Sequence, residues 1–340
     1  MKKIITLLLC LTLIACSNNQ KAPTSSPHQL EITTTIYPLT YFTEQIGRQH
    51  VNVTSVLEPG ADLHQFHLQD QQINQMMSAD LVLYIDETNE TYLTQIIPSL
   101  EASKVNYVDI VKQIKTKTAP QIGEGQTLIS GTLTTEGSNG TKQNSLNELL
   151  SEYQLERSSE NNASIQNLEY DPYNHLWLHP SYALMICEII RDQLITLMPE
   201  YQPTFESNFN ELSTRLMELN TAFTSFSNVK QPYFLVTHGA YSVWESYSLI
   251  QLPLASNLEV PLSTLELNQL IKVVQNLDLN YLYFESNISS VTARDVQNEL
   301  HLKKLTLYNL ATLTPEQIKN EENYFTLMYQ NIDNLKQEIY

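Results

Sequence analysis

Apolar residues follow two alternating spacings along most of the chain beyond residue 30. Short runs rich in β-branched residues predict buried strands, and longer stretches with an apolar residue every third or fourth position predict helices. Because strands that alternate with helices form βαβ units, we expect an α/β fold with mainly parallel sheets. Strands are predicted at 30–36, 51–56, 81–85, 105–110, 233–237, 281–285 and 305–308, and helices at 69–78, 181–197, 263–277, 291–300 and 315–336.

A long predicted helix lies between the two series of strands and has a single narrow apolar face. Polar side chains cover the rest of its surface, so it either bridges two lobes or packs as an ordinary surface helix. Two βα lobes with this helix between them would form a cleft at their interface, and ligands of open α/β sheets bind beyond the carboxyl ends of strands. The apolar face consists of Phe205, Phe209, Leu212, Leu216, Leu219 and Phe223.

The amino terminus has the pattern of an export signal. Two lysines precede a mostly apolar run at 4–14, which is too short to span a bilayer. The run ends in Leu13-Ile14-Ala15-Cys16, which resembles the lipobox of bacterial lipoproteins, whose cysteine is lipidated. An ordinary secretory signal with a chance cysteine is the alternative. We expect a signal peptide at 1–15 and a lipidated, flexible tether at 16–29.

Residues 115–168 interrupt the alternation of strands and helices. The segment is rich in Gly, Ser, Thr and Asn, and a loop of this length in a compact domain is usually functional or disordered. We expect a flexible insertion here, with a short helix at 146–155.

Composition and charge narrow the range of functions. The chain carries 37 acidic and 19 basic residues and a net charge of −18, which argues against nucleic acid as a partner. Its three cysteines, Cys10, Cys16 and Cys187, exclude a cysteine-rich zinc module or a disulfide scaffold. Cys187 lies in the apolar pattern of a predicted helix, so we expect a small buried residue there.

Four side chains are candidate metal ligands because they lie at the ends of predicted strands or in adjacent loops. His64 lies in the loop after the second strand, and His175 lies just before a helix. His238 follows a strand directly, and Glu285 ends one. A lone histidine is usually a surface or packed side chain, so spacing alone does not establish a shared metal site.

The motifs around these residues resemble those of the metal-receptor lipoproteins of bacterial ABC importers, and those of the zinc branch in particular. The resemblance covers nearly all of the chain beyond the signal. It implies two βα lobes joined by a rigid helix, with metal bound between them. The motifs are Thr34-Thr35-Ile36-Tyr37-Pro38-Leu39, Pro59-Gly60-Ala61-Asp62-Leu63-His64, Ala79-Asp80-Leu81-Val82, His175-Leu176-Trp177-Leu178-His179-Pro180, Thr237-His238-Gly239-Ala240-Tyr241 and Phe284-Glu285.

The same resemblance implies a domain organisation and a set of ligands. The N-terminal metal-binding lobe would cover 30–200 and include the insertion, the linker helix would cover 201–228, and the C-terminal lobe would cover 229–340. The implied ligands are His64, His175, His238 and Glu285.

The chemistry of this ligand set favours Zn²⁺. Three imidazoles and one carboxylate suit a tetrahedral zinc ion with bonds of about 2.0–2.2 Å. Mn²⁺ prefers more oxygen ligands, and the manganese branch usually has a carboxylate where this chain has His238. His67 and His179 are further candidates, as auxiliary ligands or as partners of ligands. We expect His67 on the loop surface and His179 to be a non-ligand.

The resemblance implies a monomeric extracytoplasmic receptor, and not an enzyme, that captures Zn²⁺ and delivers it to an ABC permease. A lipid on Cys16 would anchor it to the outer face of the cell membrane. Three alternatives stay open: a manganese receptor of the same family, an adhesin-type surface lipoprotein, and a secreted zinc hydrolase with Glu285 as general base. The zincin motif HExxH is absent from the sequence, which argues against the hydrolase.

Overall fold

The structure is a computed structural model that describes residues 29–88, 90–118, 175–255, 262–287 and 290–340. The predicted signal peptide, Cys16, nearly all of the tether and the predicted helix at 146–155 lie outside these ranges. Among the helices of the described ranges, none has both the length and the apolar character needed to cross a membrane.

The first sheet has four parallel strands in the order β2-β1-β3-β4. The strands are β1 (Leu30–Thr34), β2 (Val51–Ser55), β3 (Leu81–Tyr84) and β4 (Asn106–Asp109). In the register, Ile32 lies opposite both Val53 of β2 and Leu81 of β3. The sheet and its helices form the first lobe, whose helices are α1 (Tyr37–Gly47), α2 (Asp70–Met77), α3 (Ile97–Ser103) and α4 (Ile110–Thr118).

Two long helices follow the first sheet, α5 (Pro180–Leu197) and α6 (Gln202–Phe223). All six residues of the predicted apolar face of α6 are buried, whereas Met217 on another face is 53% exposed. The helix packs along α5 and α1, and at its end Phe223 lies 5.3 Å from Trp244, between ring centroids. It therefore packs on the first lobe along its length and reaches the second lobe through its carboxyl-terminal half, where Arg215 also lies over the Phe325 ring at 3.9 Å.

The second sheet repeats the topology of the first, with the order β6-β5-β7-β8 and all strands parallel. Its strands are β5 (Tyr233–Val236), β6 (Ile250–Pro253), β7 (Tyr281–Glu285) and β8 (Lys303–Leu307). The prediction of parallel α/β sheets is confirmed for both. This sheet belongs to the second lobe, with α7 (Thr264–Leu277), α8 (Val291–Glu299), α9 (Pro315–Lys319) and α10 (Tyr324–Ile339).

One buried apolar cluster extends through both lobes. It includes Ile32 and Leu83 of the first sheet together with Phe234 and Tyr283 of the second. A smaller cluster covers the other face of the second sheet, where Leu235 packs with side chains of α7 and α8. The lobes therefore share a core instead of meeting only at a polar cleft.

The structure differs from the predicted elements in several places. The helix predicted at 315–336 is two helices, because the Asn323 side chain accepts hydrogen bonds from Phe325 N and Thr326 N and so starts α10 separately. Helix α4 runs to Thr118, into the predicted insertion, because its apolar side packs inward. Strand β6 was not predicted; it is a short edge strand that ends in Pro253, a position where proline is tolerated.

Cys187 in α5 is fully buried, as predicted. Burial also raises the pKa of its thiol, so the side chain behaves as a small apolar residue.

Candidate metal centre

His64 lies in a short 3₁₀ turn, Leu63–Gln65, in the loop that follows β2. The Asp62 carboxylate accepts a hydrogen bond of 2.9 Å from the His64 backbone N–H and so holds the start of the turn. Leu63 is buried against the core, which directs the neighbouring His64 side chain towards the boundary between the lobes.

His175 has a left-handed backbone, with φ 50° and ψ 35°. This conformation is uncommon outside glycine and persists where the surrounding structure holds it. The three residues that follow are buried, and the second lobe binds them directly. Trp177 Nε1 donates to Asn309 O at 2.6 Å, and Trp244 Nε1 donates to Leu178 O at 2.9 Å.

His238 and Glu285 come from neighbouring strands of the second sheet. His238 follows the carboxyl end of β5, and Glu285 is the last residue of β7. The chain leaves β5 to one side to form β6 and returns on the other side to form β7, and ligands of α/β sheets bind at such a switch of direction. His238 Nδ1 lies 2.9 Å from Glu285 Oε1.

The structure brings His64, His175 and His238 together. One ring nitrogen from each lies within 4.8 Å of the others, and the ring centroids are 5.2 to 5.7 Å apart. Glu285 contacts His238, but its carboxylate is not part of the group whose ligand atoms all lie within 4.8 Å of one another. His64 precedes the insertion in the sequence and His175 follows it, whereas His238 belongs to the second lobe. The cluster therefore lies between the lobes.

Buried polar atoms without a hydrogen-bond partner among the described residues include His64 Nε2 in the cluster and Oε2 of the adjoining Glu285. A buried polar atom without a partner costs free energy, so native proteins rarely leave one unsatisfied. An imidazole nitrogen and a carboxylate oxygen are both lone-pair donors that a cation satisfies. This donor set fits a divalent metal ion, and its nitrogen content suits zinc.

Burial keeps the imidazoles of His64 and His175 neutral. Desolvation and the nearby His238 lower the pKa of His64 to about 4, although the carboxylates of Asp62 and Glu285 act in the opposite direction. Burial, followed by His238 and His64, also holds the pKa of His175 well below its usual value. Neutral imidazole is the form that binds metal, so the site at neutral pH needs no proton release from these two side chains.

The two additional histidines have different surroundings. His67 is exposed and lies outside the cluster of three. His179 is buried; its Nδ1 accepts a hydrogen bond from Ser181 N and so caps α5, and its Nε2 lies 2.9 Å from Ser246 Oγ. Its ring also stacks on Tyr247 at 4.8 Å. His179 therefore connects the segment that carries His175 to the second lobe.

Sequence reasoning missed the residues that surround Glu285. Asn309 Nδ2 donates to Glu285 Oε1 at 3.0 Å, and Tyr241 OH makes a longer contact of 3.5 Å with the same oxygen. Asn309 follows β8, 24 residues beyond Glu285, and no local pattern distinguishes it from other asparagines. Tyr241 belongs to the motif Thr237-His238-Gly239-Ala240-Tyr241, but its contact with Glu285 was not predicted.

The sequence matches the profile of the ZnuA family, described as zinc-uptake complex component A, periplasmic, over residues 32–338. This chain belongs to the ZnuA family. The matched span contains all three clustered histidines and Glu285. The family is one of zinc-uptake binding components and not of enzymes, so the hydrolase interpretation has no support.

Individual relatives agree with membership of the ZnuA family. The chain is 29% identical to the zinc-binding lipoprotein AdcA of Streptococcus pneumoniae over 99% of its own length but only 61% of that protein. It is 24% identical to the high-affinity zinc uptake system protein ZnuA of Bacillus subtilis, over 97% of this chain and 95% of that one. The crystal structure of the Zn(II)-bound ZnuA-like domain of pneumococcal AdcA superposes with a TM-score of 0.67 at 26% identity, covering 92% of this chain and 99% of that domain. The family and the two-lobed fold predicted from the sequence motifs are confirmed.

Proposed function

We propose that this protein is an extracytoplasmic receptor that captures Zn²⁺ between its two lobes and delivers it to an ABC-type permease. The observation that carries the proposal is the convergence of three imidazoles, two buried and the third of His64 half-buried, from segments more than 60 residues apart. The ZnuA family's description as a component of a zinc-uptake complex supports it independently.

In this proposal the zinc ligands are His64, His175, His238 and Glu285. The neutral state of His64 and His175 and the bare oxygen Glu285 Oε2 favour a cation at this position. A set of three nitrogens and one oxygen with four-fold coordination matches Zn²⁺, whereas Mn²⁺ is weakly bound by nitrogen-rich sites and prefers more oxygen. The metal is cargo, so the site has to bind and release it without chemistry.

The loop that carries His64 is hydrogen-bonded to the second lobe beside the cluster. Gly60 N donates to Leu313 O at 2.9 Å, Thr312 Oγ1 donates to Glu58 O at 3.0 Å, and Asn287 Nδ2 donates to Ala61 O at 3.2 Å. Metal ligation and these bonds both hold the loop against the second lobe, so each stabilises the other. Release of zinc to the permease then requires this loop to separate from the second lobe.

Anchoring to the membrane belongs to the same proposal. A lipid on Cys16 would hold the protein at the outer face of the cell membrane, and the word lipoprotein in the name of the pneumococcal relative supports this. The receptor acts as a monomer in this proposal, because each chain supplies all four ligands.

The test strips the mature chain of metal and titrates it separately with Zn²⁺ and Mn²⁺, with bound metal counted by elemental analysis and thermal unfolding followed in parallel. We expect one tightly bound Zn²⁺ per chain and a zinc-dependent rise in Tm, because a ligand that binds only the native state stabilises it. His238→Ala should abolish both effects, and the control His67→Ala should leave both unchanged.

Other outcomes would point elsewhere. A preference for Mn²⁺ would replace the zinc receptor with a manganese receptor of the same family. Absence of stoichiometric binding of either metal would contradict the four-ligand site and leave the adhesin hypothesis, to be tested by metal-independent binding to host cells. Zinc-limited growth of cells that carry His238→Ala tests the delivery step, and growth equal to that of the wild type would contradict it.

A further inference from the structure

The two oxygens of Glu285 have different surroundings. Oε1 accepts a hydrogen bond from Asn309 Nδ2 at 3.0 Å and lies 2.9 Å from His238 Nδ1. Oε2 is buried and has no hydrogen-bond partner among the described residues. The carboxylate is therefore held through one oxygen, and the other is available.

The orientation of the Asn309 amide is fixed by its second contact. Asn309 Oδ1 accepts a hydrogen bond of 3.0 Å from Ala311 N, so the oxygen faces a donor and the NH₂ group must face Glu285. Asn309 is only 6% exposed, so water competes little for these bonds. An NH₂ group offers hydrogen atoms and no lone pair, so it binds the carboxylate and cannot itself ligate a cation.

Asn309 is also tied to the segment of another ligand. Its backbone oxygen accepts the 2.6 Å hydrogen bond from Trp177 Nε1, and Trp177 lies two residues after His175. One residue therefore holds Glu285 of the second lobe through its side chain and the His175 segment through its backbone.

We propose that Asn309 is a positioning residue that makes Glu285 a one-oxygen ligand and so favours Zn²⁺ over Mn²⁺. The inference rests on the proposed function, because it takes Glu285 as a ligand. A carboxylate whose Oε1 is engaged by an N–H donor offers the metal only Oε2, which keeps the coordination number at four. Binding through both oxygens would raise the coordination number and the share of oxygen, which is what Mn²⁺ prefers.

The test compares two substitutions at Asn309 with a matched control in the mature chain. Asn309→Ala removes the side chain, and Asn309→Asp keeps an acceptor for Ala311 N while replacing the donor to Glu285 by an oxygen. The control is Asn331→Asp, because Asn331 is also a buried asparagine and its side chain bonds both the N and the O of Tyr308, next to Asn309. The hydrogen bonds of its side chain in the described part of the chain go to Tyr308 and Met328 and not to Glu285.

Affinities for Zn²⁺ and Mn²⁺ are measured by chelator competition, and the site is loaded with Co²⁺ to record its visible spectrum. Tetrahedral Co²⁺ absorbs more strongly than five- or six-coordinate Co²⁺, so the spectrum reports coordination and not stability. We expect both Asn309 variants to bind Zn²⁺ about 10- to 100-fold more weakly, with a smaller loss for Mn²⁺ and a weaker Co²⁺ spectrum. Asn331→Asp should lower Tm and leave the spectrum and the metal preference unchanged.

Wild-type metal preference and spectrum in both Asn309 variants would overturn the inference while the receptor proposal stands. An equal change in Asn331→Asp would also overturn it, because the effect would then be general destabilisation. A wild-type chain that binds no zinc would overturn the receptor proposal itself, and the inference with it.

Discussion

At the scale of single residues, burial decides the protonation state of His64 and His179. His64 and His179 both have a pKa lowered to about 4, in each case mainly because the protein removes water from the ring. Both rings are neutral, but their nitrogens have different hydrogen-bond partners. His64 has a ring nitrogen without a hydrogen-bond partner among the described residues, whereas both ring nitrogens of His179 have one. A neutral ring therefore suits the metal binding proposed for His64 and the bridging contacts that His179 makes between the lobes.

The lowered pKa of His179 predicts that the metal-free protein loses stability in mild acid. Between pH 6.5 and 4 the unfolded chain protonates His179 and the folded chain does not, so the free energy of unfolding falls as pH falls through this window. Each such histidine contributes up to about 1.4 kcal/mol per pH unit. Urea unfolding at pH 7, 6 and 5 should show a shallower pH dependence for His179→Gln than for the wild type. His67→Gln should match the wild type, and equal slopes in all three proteins would contradict the prediction.

At the scale of elements, the carboxyl-terminal segment shows how a cap divides a continuous apolar pattern. Asn323 accepts hydrogen bonds from two backbone N–H groups of α10, and its own N–H donates to Thr326 Oγ1. The cap also places the next residue, Tyr324, whose ring stacks on Tyr41 of α1 at 6.2 Å. The start of α10 is therefore a contact between the lobes as well as a helix end.

We predict that Asn323→Ala lowers the free energy of unfolding by about 1 kcal/mol, because the first N–H groups of α10 lose their acceptor. Denaturant unfolding of the metal-free chain measures it. The control Asn298→Ala changes an exposed asparagine in the last turn of α8 and should be neutral or slightly stabilising, since alanine has the higher helix propensity. A neutral result for Asn323→Ala would show that the cap does not stabilise α10.

At the scale of the whole molecule, the shared core limits how far the lobes can move apart. The larger apolar cluster contains side chains of both sheets, and Tyr324 OH donates to Trp177 O at 2.7 Å across the same boundary. Wide opening would expose apolar surface and break buried hydrogen bonds, both of which cost free energy. Metal capture is therefore expected to involve movement of loops such as the one that carries His64, with the sheets held in place.

A shared core also predicts that the lobes unfold together. Differential scanning calorimetry of the metal-free mature chain should show one transition, with a calorimetric enthalpy equal to the van't Hoff enthalpy. The control is the zinc-loaded chain, which should show the same single transition at a higher temperature. Two resolved transitions in the metal-free protein would mean that the lobes are independent units.

The parts of the structure that were predicted well are those with a local signal. Strand β1, helix α6 and the parallel sheets follow from the spacing of apolar residues, which depends on neighbours a few positions away. The break before α10 and the short strand β6 were missed because a single cap and a four-residue edge strand leave weak periodicity. The assignment of His64, His175, His238 and Glu285 as ligands came from motifs and remains a prediction.

The amino-acid sequence by itself determined the fold class, the family and which histidines deserved attention, because local periodicity and short motifs carry that information. Only the tertiary structure decided that three of those histidines meet, that His67 does not join them, and that His179 instead caps α5 and contacts Ser246. It also revealed Asn309, whose partners Trp177 and Glu285 lie 132 and 24 residues away. The bond to Trp177 depends on how the two lobes pack together, and the bond to Glu285 depends on how the ends of β7 and β8 meet in the second lobe. Neither arrangement leaves a pattern among neighbouring residues.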